Sequence, residues 1–195
     1  MSSQARQRPG RPRDADKDLA VLVAARRLLA EVGYQQTTVV AIARRAGVNA
    51  PAIYRRWPSR EALLEEAVHG PGAHQLPEPT GDLRADLRTW VRIFLARAAS
   101  PAARSGVPGL LADSQTEEAR RRLLAIGAPV RQAFADMLAR AVDSGPGPLA
   151  DPEVLFEILS GTTTFHALVR GGDDHDGFAD TLADALYVMA MHGRR

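Results

Sequence analysis

Apolar residues recur at intervals of three and four positions along almost the whole chain, the period of a helix rather than the two-residue period of a strand. Ala, Leu and Arg, all good helix formers, supply much of that pattern, so an all-α fold of about nine helices is predicted. The first helix should start near Asp14 or Asp16, carry Leu19, Leu22, Ala25, Leu28, Leu29 and Val32, and stop at Gly33. A short second helix spans Thr38–Ala46 with Thr38 as its N-cap, and Gly47 breaks it, since glycine takes the positive φ of a tight interhelical turn. A short third helix covers Ala50–Arg56, with Pro51 in its first turn, and Ser59 caps a fourth, Arg60–His69.

Residues 70–81 then hold three prolines and three glycines, too many for a helix, and mark a boundary. This divides the chain into a basic arm (1–17), a small helical domain (18–69) and a larger helical domain (82–195). In the larger one, helices are predicted at 82–99, 102–113, 116–142 with a kink or break at Pro129, 151–169 and 178–192.

A chain of 195 residues can bury a substantial core. The absence of cysteine removes disulfide scaffolds, thiolate zinc sites and cysteine nucleophiles at once. No uncharged apolar run approaches the ~20 residues that cross a bilayer, so a soluble cytoplasmic protein without a membrane partner is expected. The net charge of +2 is unevenly placed: residues 1–69 carry 12 Lys+Arg against 7 Asp+Glu, while the remainder is acidic. A polyanion therefore suits the first third better than the rest.

Two short helices joined by a glycine turn, packed on a longer helix and flanked by arginines, form the pattern of a helix-turn-helix DNA reader. Val39, Ile42, Ala43, Val48 and Ile53 face inward and fix the crossing, while Ala43 and Ala46 are small enough for close approach. Outward, the third helix presents Asn49, Ala50, Pro51, Ala52, Tyr54, Arg55 and Arg56, a surface able to meet phosphates and base edges.

The run Thr37-Thr38-Val39-Val40-Ala41-Ile42-Ala43-Arg44-Arg45-Ala46-Gly47-Val48, followed by Ile53-Tyr54-Arg55-Arg56-Trp57-Pro58-Ser59-Arg60-Glu61-Ala62-Leu63-Leu64, resembles the DNA-binding domain of the tetracycline-repressor (TetR/AcrR) family. The resemblance implies an all-helical homodimer that binds an inverted-repeat operator, represses transcription and leaves DNA when a small-molecule effector fills the C-terminal domain. Position by position it implies phosphate contacts from Thr38, Tyr54, Arg56 and Arg60, the last also at a helix N-terminus that favours an anion. It implies base contacts from Val40, Arg44, Asn49, Ala50, Pro51, Ala52 and Arg55. Three positions depart from the family pattern: Arg56 stands where His is frequent, Trp57 where Phe is frequent, and Pro51-Ala52 where Gly-Thr is frequent.

The segment Arg8-Pro-Gly-Arg-Pro-Arg13 alternates arginine with residues that keep a chain slim and extended. Arg8, Arg11 and Arg13 could thereby enter a narrow minor groove, or form a solvated basic tail.

In the second domain the resemblance implies a ligand pocket, for which Trp90, Phe94, Gln115, Gln132, Met137, Phe165 and His166 are the candidates. It also implies a four-helix dimer bundle built from the last two helices, with Leu155, Ile158, Leu159, Thr162, Leu182, Leu186 and Met189 on the seam. The five histidines show no metal-ligand spacing, no phosphate-binding glycine loop is present, and no Ser/His/Asp set is suggested. Neither an enzyme, a metal nor a cofactor is expected. The alternative left open is a helical small-molecule-binding protein with a weak or vestigial DNA reader.

Overall fold

A computed structural model describes residues 15–70, 76–142, 150–170 and 175–192, and the described residues contain helices and no strand. The helices are α1 (Ala15–Gln36), α2 (Val39–Ala46), α3 (Ala50–Arg56), α4 (Arg60–His69), α5 (Leu83–Ala99), α6 (Pro101–Asp113), α7 (Glu117–Val142), α8 (Pro152–Phe165) and α9 (His175–His192). Gly33 interrupts α1 with φ 78° and ψ 175°, leaving Tyr34–Gln36 as a separate short turn, so the predicted stop is present within a longer element.

Caps fix the small helices where the sequence places them. Thr38, Asn49 and Ser59 accept hydrogen bonds from the backbone N–H groups of Ala41, Ala52 and Ala62 at 3.2, 2.8 and 3.1 Å. Gly47 closes α2 in the left-handed conformation (φ 67°, ψ 29°). Asn49, expected only as a base contact, thus also starts α3.

Two differences concern longer helices. Pro129 neither breaks nor ends α7, which runs on through it. The proline deprives the Ala125 carbonyl of its helical donor, and the guanidinium of Arg131 donates one residue earlier, to the Leu124 carbonyl at 2.8 Å. The predicted eighth helix also changes character: α8 ends at Phe165 and residues His166–Arg170 form a π-turn.

The buried apolar residues fall into two clusters that do not follow the proline-rich segment. The first joins α1–α4 to α6 through Leu29, Ile42, Ile53, Leu63, Val107 and Leu110. The second joins α5, α7, α8 and α9 around Trp90, Phe134, Leu138, Leu155 and Leu186. α1 packs more extensively on α6 than on any other helix. Gly109 makes this approach possible: a Cβ there would collide with the Tyr34 ring.

Candidate functional site

α2 and α3 lie against α1 and α4 through Val39, Ile42, Ala43 and Ile53, all buried, so their remaining faces point outward. Val40 is 70% exposed and Tyr54 52%, values too high for core residues and suited to a surface that something else covers. Arg44, Asn49, Pro51 and Arg55 are exposed beside them, with Ala50 and Ala52 half-buried. Among the described residues neither Arg44 nor Arg55 enters an ion pair, whereas the adjacent Arg45 is held by Glu31 at 2.5 Å. Of two neighbouring arginines, the one expected to read a base is thus without an ion pair among the described residues and the other is held. Thr38 is exposed at the N-terminus of α2, its oxygen engaged as the cap.

Two of the expected phosphate ligands are tied to the protein itself. Arg60 turns inward: its Nε donates to the Thr37 carbonyl at 2.7 Å, its Nη2 to the Tyr34 carbonyl, and its guanidinium lies 4.4 Å from the centre of the Tyr34 ring. It clamps the turn between α1 and α2, a positioning role that the sequence did not indicate. Arg56 is shared between Glu66 at 3.3 Å and Asp18 at 3.4 Å and stacks on Trp57, whose indole N–H donates to Glu66 at 2.8 Å. The arm residues Arg8, Arg11 and Arg13 lie outside the described residues.

Tyr34, Glu65, His69 and Arg97 were not anticipated as site residues. Tyr34 is buried and its hydroxyl donates to Asp113 of α6; burial, then the Asp113 hydrogen bond and charge, push its pKa up. Glu65 is 3% exposed and accepts a two-pronged hydrogen bond from Arg122 of α7 at 2.9 and 3.0 Å. A signal for Glu65 exists in the sequence: Ala62, Leu63, Leu64, Ala67 and Val68 surround α4 with apolar side chains, so a helix buried on most sides carries that carboxylate inside.

α4 ends at a cavity of about 490 Å³ bounded by α5, α6, α7 and α8. Its wall is mainly apolar, with Phe94, Val107, Val130, Phe156 and Phe165 prominent, and its ionisable side chains are His69, Arg97 and Arg131. Burial, and then the neighbouring charge of Arg97, push the His69 imidazole down to about 4, so it is neutral at pH 7.

Of the pocket residues expected from sequence, Phe94 and Phe165 line this space. Trp90 and Met137 lie in the second core, where Trp90 meets Phe134 edge-on at 5.2 Å. Gln115 and Gln132 are engaged outside the cavity, with the Leu111 carbonyl and Asp136. His166 stacks on Phe178 of α9 at 3.7 Å.

The expected dimer residues also divide. Leu155, Leu159, Leu182 and Leu186 are buried in the second core, correcting their assignment to an intermolecular seam. Helical spacing alone could not separate the two apolar faces of α8 and α9. Ile158 and Thr162 are half-buried and Met189 is exposed, as are Val154, Val169 and Val188.

Among the described residues no group of three or more His, Asp or Glu side chains could hold a metal, and no helix is long and apolar enough to cross a membrane.

Comparison with known proteins agrees with this architecture. Residues 21–67 match the family described as bacterial regulatory proteins, tetR family, and residues 77–186 match the tetracyclin repressor-like C-terminal domain. The chain is 30% identical over 191 residues to the DNA-binding transcriptional repressor TetR of Mycobacteroides abscessus, covering 94% of this chain and 98% of that one. It is 28% identical over 179 residues to the HTH-type transcriptional regulator YdeS of Bacillus subtilis, covering 89% of each. Among solved structures it resembles the TetR family transcription regulator SCO0332 with a TM-score of 0.70 at 28% identity, covering 92% of this chain and 99% of that one. The fold is shared with FadR of Bacillus subtilis, solved with stearoyl-CoA, at a TM-score of 0.60 and 18% identity, covering 91% and 99%. With both halves matched in order, and with a capped two-helix reader in front of a larger helical unit, the chain belongs to the tetR family of DNA-binding transcriptional regulators of repressor type.

Proposed function

We propose that this protein is a homodimeric repressor that binds an inverted-repeat operator and leaves it when a small molecule fills the cavity at the end of α4. The observation that carries the reading is the position of α4. Ser59 caps its first turn, Glu66 in its C-terminal half holds Trp57 and Arg56 at the end of α3, and the next residues along, Val68 and His69, are cavity wall. A molecule entering the cavity meets the same helix that sets the pose of α2 and α3. The coupling is reciprocal, so operator DNA weakens ligand binding by the same factor.

Base contacts fall to Val40, Arg44, Asn49, Ala50, Pro51, Ala52 and Arg55, and phosphate contacts to Thr38 and Tyr54. Arg56 joins them on exchanging its carboxylates for a phosphate. Two readers bind opposite half-sites about 34–36 Å apart, one helical turn of DNA. The exposed apolar side chains of α8 and α9 support pairing with a second copy, since such a patch is otherwise a liability in water.

The test is selection from a random duplex library at about 150 mM salt, where sequence-independent phosphate binding is already weak. Enrichment of an inverted repeat supports operator binding and dimer symmetry together. Recovery of no motif turns the reading towards a small-molecule-binding protein with a vestigial reader.

A further inference from the structure

Among the described residues three cationic or basic side chains and no carboxylate line the cavity. Arg131 is satisfied elsewhere: its Nε lies 3.5 Å from Glu153, and another of its N–H groups holds the Leu124 carbonyl. Arg97 is different. It donates to the Val68 carbonyl at 3.2 Å, and among the described residues no carboxylate pairs with it. Arg26, from α1, stands behind it, donating to the Ala67 carbonyl at 2.6 Å while its buried Nη2 finds no partner.

Two guanidinium charges therefore converge on the C-terminus of one helix. The dipole of that terminus supplies only about half an elementary negative charge. Among the described residues about one and a half positive charges are left uncompensated beside an apolar space, a costly arrangement unless an anion completes it. In agreement, burial lowers the pKa of both arginines, and the charge of Arg26 lowers that of Arg97 further.

Resting on the reading of this cavity as the effector site, we propose that its ligand is an apolar molecule bearing one carboxylate, which pairs with Arg97 while the body packs among Phe94, Val107, Phe156 and Phe165. A monoanion offsets most of the surplus charge, and the planar fork of one arginine matches a carboxylate. The hydroxyls of Ser160 and Thr164 and the neutral His69 ring are the other polar groups on the wall. Binding there would join the last turn of α4 to α5 through a charge-assisted contact.

The test is calorimetric titration of the full chain at about pH 7.5 with decanoate, decan-1-ol and decylamine, which share an apolar tail and differ in the head. Decanoate is expected to bind about tenfold or more tighter than decan-1-ol, with decylamine weakest, in keeping with a charge-assisted hydrogen bond. Arg97→Gln should bring the acid-to-alcohol ratio near one without changing the alcohol, and Arg97→Lys should keep part of the preference; circular dichroism melts check that both variants fold. If the alcohol or amine binds the native protein as well as the acid does, or if the preference survives Arg97→Gln, the carboxylate proposal falls while the cavity reading stands. If none of the three binds, both fall.

Discussion

At the scale of single residues, the arginines near the reader have parted roles, and substitution should expose the division. Arg60→Ala removes two hydrogen bonds to the carbonyls of Tyr34 and Thr37, both buried residues, and should cost about 1–3 kcal/mol, read as a lower melting temperature without DNA. Arg44→Ala removes no ion pair or side-chain hydrogen bond among the described residues. It should leave stability within about 0.5 kcal/mol of the parent yet weaken binding to the selected duplex by about 1–3 kcal/mol if it reads a base. Equal loss of melting temperature in both variants would remove the distinction between clamp and reader. The caps at Thr38 and Ser59, the αL turn at Gly47 and the stop at Gly33 were legible in the sequence, because each is decided by neighbours a few positions away. The inward turn of Arg60 was not, because its acceptors lie 23 and 26 residues earlier, in a turn whose geometry exists only after folding.

Among the elements, α4 carries more than its ten residues suggest. Its Glu65 is buried, so Arg122→Met would strand a carboxylate and should cost about 3 kcal/mol in chemical denaturation. The double variant Glu65→Leu with Arg122→Met should recover most of that loss, since a matched apolar pair needs no desolvation of charge. The His69 imidazole at the other end gives a pH signature. Its folded pKa, about 4, lies below the ordinary 6.5, so between those values the unfolded chain holds a proton that the folded chain lacks. Stability should therefore be full above about pH 6.5 and decline as pH falls towards 4, by at most about 1.4 kcal/mol per pH unit from this group. Comparing melts at about pH 5 and pH 7 for the parent and His69→Gln would isolate it. Helix identity was readable from the apolar period throughout. Which side of α8 and α9 meets the core was not, since Leu155 and Val154 are adjacent apolar residues and only packing separates them.

For the whole molecule, the outward apolar side chains of α8 and α9 make oligomeric state a direct observable. If the proposed dimer pairs through this surface, Val188→Asp should give a folded monomer in sedimentation with weakened operator binding, because the side chain is 52% exposed in one chain and has room for a charge there. A dimer unchanged by this substitution would move the seam elsewhere. The proline-rich segment separates stretches of sequence, whereas the first core takes α6 from beyond it, and that has a consequence for how the protein is made. Synthesis delivers α1–α4 first, yet the groove of α1 stays open until Ala103, Val107 and Leu110 have emerged from the ribosome. The DNA reader is thus translated early and secured late, and a nascent chain halted before α6 would offer Leu29, Tyr34 and Val68 to chaperones rather than to an operator.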